Sequence, residues 1–111
     1  MRIWGLKSCD TCRKAVGELA VAGHSPAYVD VRADGVERAD LERFFAEFGE
    51  ALVNRRSTTW RGLSEAERAG PPVELLSAHP TLMKRPVIEA DGVLTLGWGA
   101  DQRARWLEKP V

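Results

Sequence analysis

The chain has 111 residues, 44% apolar and 29% charged, and its 16 basic and 16 acidic side chains cancel to a formal charge of zero. That length builds one domain rather than two. The neutral balance argues against a general nucleic-acid binder, which carries a basic excess, and no apolar run approaches the roughly 20 residues that span a bilayer.

Residues 1 to 5, MRIWG, are short, apolar and end in glycine, which predicts a buried strand. The same N-terminus has no signal-peptide apolar region, so the expected location is the cytoplasm. After the loop LKSCD a helical pattern begins: Cys12, Ala15, Val16 and Leu19 fall at i, i+3, i+4 and i+7. Gly23 is its expected stop. PAYVDV, residues 26 to 31, alternates in strand fashion. The first 31 residues thus read strand, helix, strand, a unit that makes the two strands parallel.

RADG is a loop, after which Leu41, Phe44, Phe45 and Phe48 repeat the helical spacing and Gly49 closes it. Residues 51 to 70 predict short helical pieces around a loop, one opened by Ser64. PPVELLSAHP predicts a further short helix with proline at its first positions, where the missing N–H costs little. Two β-rich runs, 86 to 90 and 93 to 96, flank Asp91-Gly92, a dipeptide suited to a type I′ hairpin turn. An amphipathic helix over about 99 to 108 completes the order. A parallel pair and an antiparallel pair, with helices between and after, predict a four-stranded mixed sheet of thioredoxin-like α/β type. The expectation is one domain over 1–111, with a helical insertion at about 37–80 between the βαβ and ββα halves.

The only two cysteines, Cys9 and Cys12, stand one helical turn apart at the first strand-to-helix junction. In a reducing cytosol they are not expected to form a permanent staple. A zinc site takes about four ligands, and beyond the cysteines there are only the isolated His24 and His79; no metal is expected. A haem attachment needs histidine after the second cysteine, where Arg13 stands. Inert core thiols remain the bland reading. The sharper one is a redox pair. A helix N-terminus carries about half a positive charge and up to four unpaired N–H groups, which favour a thiolate. Cys9, just before the helix, is placed to attack. Cys12, in its first turn and expected to be half-buried, is placed to resolve. Lys7, Arg13 and Lys14 add positive charge, and Asp10 opposes it. Arg55, Arg56 and Arg61 surround Ser57 to Trp60 as a basic cluster, either a solvated loop or a holder of carboxylates. Trp4, Trp98 and Trp106 are expected in or near the core, and Trp60 as a packing anchor.

Three stretches, KSCDTCRKA, NRRSTTWRGL and HPTLMKRPVIEADGVLTLGW, resemble in order and spacing the ArsC/Spx/YffB family. The resemblance spans nearly the whole chain and implies a thioredoxin-like fold with a helical insertion. It is nearest in local wording to the YffB-like branch, with a CxxC of Spx type. It implies that Cys9 matches the nucleophile of arsenate reductases, Cys12 the serine that follows it, and Arg13 the next arginine. Of three further arginines that hold arsenate in that family, Arg85 matches one. The middle one falls at or beside Asn54, next to Arg55 and Arg56, and the last near Gly97. The family also implies a cis-proline beside the reactive cysteine, here Pro86. Implied partners are glutathione, a small thiol or an oxyanion, with glutathione or a thioredoxin- or glutaredoxin-type protein as reductant and no tightly bound cofactor. The Spx branch implies a different role, a redox-sensing regulator bound to the RNA polymerase α C-terminal domain. The resemblance leaves enzyme and regulator both open; neither implies a membrane or direct nucleic-acid contact.

Overall fold

The computed structural model describes residues 1–107. The chain divides into two compact units: Met1–Asp30 with the C-terminal part from Arg85, and Val31–Lys84. The helical segments of the second unit run from Arg38 to Leu82, where the sequence places the insertion at about 37–80.

The first unit holds the sheet. Strand β1 (Arg2–Gly5) leads through a loop to helix α1 (Asp10–Val21) and back to β2 (Ala27–Asp30), which lies parallel to β1. Gly23, at φ 95°, ends α1 as expected: its N–H donates to the Ala20 carbonyl, and the His24 N–H donates to the Leu19 carbonyl. These two bonds make the paired closure in which a left-handed glycine satisfies orphan carbonyls. Strands β3 (Val87–Ala90) and β4 (Val93–Leu96) form the hairpin, with Asp91 at φ 51° and Gly92 at φ 77°, both positive as a type I′ turn requires. β3 pairs antiparallel with β1, giving the order β2-β1-β3-β4. This is the mixed four-stranded α/β sheet the sequence predicts. The C-terminal helix, which we label α6, spans Ala100–Leu107; residue 108 of the expected helix lies outside the described residues. Ile3, Ala15, Leu19, Ile88, Trp98 and Trp106 form one buried cluster. Trp106 donates its Nε1 hydrogen to Thr95 Oγ1 at 2.8 Å, so the indole is buried without losing its bond.

The second unit is helical. It contains α2 (Arg38–Phe48), α3 (Thr58–Arg61), α4 (Glu65–Arg68) and α5 (Pro72–Ala78). Leu41 and Phe44 of α2 and Leu75 and Leu76 of α5 are buried, and the two helices pack together. Phe45 and Phe48, expected on the same stripe, lie at its edge and are half-buried. Ser64 opens α4 with a reciprocal cap: its hydroxyl accepts from the Glu67 N–H, and the Glu67 carboxylate accepts from the Ser64 N–H. No described helix is long and apolar enough to cross a membrane.

Candidate functional site

The loop between β1 and α1 carries the first thiol, and its backbone is fastened twice. The Cys9 N–H donates to the Leu6 carbonyl at 3.1 Å. The Lys7 N–H donates to Asp30 Oδ2 at 3.1 Å. Asp30, at the end of β2, is buried, so the loop is anchored to the parallel neighbour of the strand it leaves.

Cys9 occupies the N-cap of α1 with extended backbone, φ −86° and ψ 119°, and is half-buried. As a thiol it closes no formed cap hydrogen bond; the Cys12 N–H, a donor in the first turn, acts on the sulfur as an aimed dipole. Partial burial pushes the Cys9 thiol up, but the Cys12 N–H, the Cys12 thiol and the Arg85 guanidinium together outweigh it and bring the group below its ordinary value.

Cys12 departs from the expected half-burial: it is fully buried. The reason is Gly5. A Cβ at that position would stand 2.7 Å from Cys12 Sγ and 3.0 Å from Tyr28 Oη, so only a bare backbone lets α1 lie this close to β1. Burial pushes the Cys12 thiol up to about 11, with neighbouring Cys9 adding to it and the Leu6 N–H and Arg85 opposing. The same helix turn therefore drives one sulfur toward the thiolate and holds the other as a thiol.

The Arg85–Pro86 peptide bond is cis, as the resemblance implies. Trp4 of β1 faces Val87 of β3 in the register, which carries the residues just before β3 to the end of β1 where α1 begins. Pro86 is buried and Arg85 half-buried. The structure thus brings Cys9, Cys12, Arg85 and Pro86 into one site from stretches more than 70 residues apart.

The other expected residues stand differently. Arg13 is exposed and paired with Asp10 one turn away, so its charge is largely answered locally. Lys7 is exposed and contributes its backbone N–H to the loop anchor. Arg55 and Arg56 belong to the helical unit. Arg55 pairs with Glu50 and lies over the Trp60 ring, 5.4 Å from its centroid. Arg68 lies against the same ring at 5.6 Å, so Trp60 is a packing anchor between two guanidinium groups. Arg55 and Arg56 line a cavity of about 570 Å³ together with Glu50, Asn54 and Lys84. Among the described residues no cluster of three or more His, Cys, Asp or Glu side chains is arranged to hold a metal.

Three residues of the site escaped the reading of the sequence: Gly5, Asp30 and Tyr28. Strand alternation places Tyr28 and Asp30 on one face of β2, and that periodicity was the signal available. Nothing in it says that this face meets the cysteines.

A model described as the ArsC family matches residues 4–105. The chain belongs to the ArsC family. An uncharacterised protein of Haemophilus influenzae is 38% identical over 101 residues, covering 86% of this ArsC-family chain and 89% of that relative. Among solved structures, a protein named YffB is 36% identical with a TM-score of 0.87, covering 96% of this chain and 97% of its own. An arsenate reductase (ArsC) related protein from Brucella melitensis is 34% identical with a TM-score of 0.71, covering 97% of this chain and 94% of its own. The likeness to YffB agrees with the branch suggested by the local wording around the cysteines. The thioredoxin-like architecture of the ArsC-family chain is that of these neighbours.

Proposed function

We propose that this ArsC-family protein is a thiol–disulfide oxidoreductase with Cys9 as nucleophile and Cys12 as resolving thiol. The observation that carries the reading is the division within the pair: a half-buried sulfur at the mouth of α1 beside Arg85, and a buried one a turn away. The Cys9 thiolate attacks one sulfur of a disulfide, forming a mixed disulfide and releasing the other sulfur as a thiolate. Cys12 gives up its proton, attacks Cys9, and displaces the remaining half of the substrate. The substrate gains two electrons, and the chain is left with a Cys9–Cys12 disulfide. Glutathione or a thioredoxin- or glutaredoxin-type protein then restores both thiols. Glutathione disulfide and glutathione adducts are the substrate class favoured here, since a guanidinium at the site, that of Arg85, is matched to a substrate carboxylate.

Arsenate is the less favoured substrate. Of the three anion-holding arginines the family resemblance implies, Arg85 matches one by position, the middle one falls at or beside Asn54 next to Arg55 and Arg56, and the last has no arginine. The position near the third is Gly97, whose φ of 90° is a conformation that an arginine rarely adopts.

The deciding experiment is alkylation by iodoacetamide against pH, with the Cys12→Ser variant then exposed to glutathione disulfide. Cys9 is expected to react faster at pH 6.5 than free cysteine, and to retain one glutathione by mass spectrometry. A Cys9 no more reactive than free cysteine sinks the reading.

A further inference from the structure

The resolving thiol is buried, and a buried thiol is a poor nucleophile until it ionises. Polar groups from several elements act on its sulfur. The Leu6 N–H, the Cys9 sulfur and Arg85 act on it from the loop, the helix start and the corner before β3. From β2 comes Tyr28. Its hydroxyl and Cys12 Sγ both lie within 3.0 Å of the one point that a side chain on Gly5 would fill. That hydroxyl is buried and has no hydrogen-bond partner among the described residues, an arrangement rare enough to need a reason. Burial first, and then Cys12, Asp30 and Cys9, hold the phenol in its protonated form, so it remains a donor. The donor meets a neutral thiol, a weak acceptor. It gains a strong one when Cys12 becomes a thiolate.

We propose that Tyr28 is a catalytic hydrogen-bond donor to the resolving thiol, its buried phenol aimed at Cys12 Sγ so that the bond completes as that sulfur takes on negative charge. The proposal rests on the redox reading of the pair and deepens it. In the resolving step the Cys12 proton passes to the thiolate released first. An electron pair of Cys12 Sγ then forms the bond to Cys9 Sγ, and the bond between Cys9 and the substrate sulfur breaks with its pair leaving on that sulfur. Tyr28 is neither oxidised nor deprotonated; it lowers the energy of the charged intermediate, present only in this step. In the reverse direction, when an external thiol attacks Cys9 of the disulfide, Cys12 is the leaving group and the same donor assists.

The test uses the full chain and Tyr28→Phe, loading Cys9 with glutathione and following release of glutathione by Cys12 as a function of pH. Release at pH 7 is expected to slow about tenfold, the weight of one hydrogen bond to a charged acceptor. Its pH profile should move upward, while Cys9 alkylation at pH 6.5 keeps its wild-type rate. A merely structural tyrosine does not move the profile. A second measurement needs no change at position 28. Tyr28 is the only tyrosine of the chain, so a 13C-tyrosine label reports on it alone. In the Cys9→Ser variant the ring-carbon resonance should inflect at the pH midpoint of Cys12 alkylation. Fast Cys9 alkylation with an unchanged release profile, or a resonance indifferent to Cys12 ionisation, overturns the role of Tyr28 and leaves the redox reading standing. Slow Cys9 alkylation overturns the redox reading and this inference with it.

Discussion

Cys12 carries a thermodynamic signature that can be read apart from any substrate. Its thiol stands at about 11 in the folded chain against an ordinary 9.0, chiefly because burial disfavours the thiolate. Between those two values the native state keeps a proton that the unfolded chain gives up. Stability is therefore fully present below about pH 9 and declines as pH rises toward 11. The loss amounts to roughly 2–3 kcal/mol for a two-unit shift. Urea unfolding of reduced protein across pH 8 to 10.5 should show this decline, and Cys12→Ala should flatten it. Equal slopes in the two proteins would mean that Cys12 is not held as a thiol. Cys9 runs the other way, with a lowered value. Two cysteines of one short motif thus differ because one sits at the helix mouth and the other faces strand β1.

At the scale of elements the close approach of β1 and α1 decides the site. Gly5 looks in the sequence like a strand-ending glycine, and its function is to leave space for Cys12 Sγ. Gly5→Ala puts a methyl group 2.7 Å from that sulfur, and the helix start has to shift. A destabilisation of about 1–3 kcal/mol is expected, as for other overpacked contacts, together with faster alkylation of Cys12 as it is pushed toward solvent. A urea midpoint and Cys12 reactivity equal to wild type would contradict this. The elements themselves were largely legible. Their signals are local: the i, i+3, i+4 spacing of Cys12, Ala15 and Leu19, the Asp91-Gly92 turn, and Ser64 three residues before Glu67. Each acts within a few residues of itself. Phe45 and Phe48 show where such reading stops, since periodicity gives the direction of a face and not the width its neighbour covers.

The whole molecule contributes what no local pattern holds. Arg85 reaches the thiol site because β3 returns antiparallel beside β1, joining sequence positions 76 residues apart. Replacing it by glutamine should slow Cys9 alkylation at pH 6.5 by up to about tenfold, one pKa unit. It should also weaken the salt dependence of that rate, since a partly exposed charge pair is screened. A rate unchanged by Arg85→Gln would show that the helix mouth alone activates the sulfur. The basic cluster is the opposite case: Arg55 and Arg56 stand out in the sequence by charge alone, and the fold gives Arg55 to Glu50 and the face of Trp60. By itself, then, the sequence determined the order of elements, the mixed sheet and the placing of a cysteine pair at a helix start, because hydrophobic period, turn residues and caps are written in neighbouring positions. Only the tertiary structure decided that Cys12 is sealed, that Tyr28 faces it across the space left by Gly5, and that Arg85 acts on both sulfurs. Those facts depend on which faces meet, and strand pairing between distant segments sets that, with no local trace.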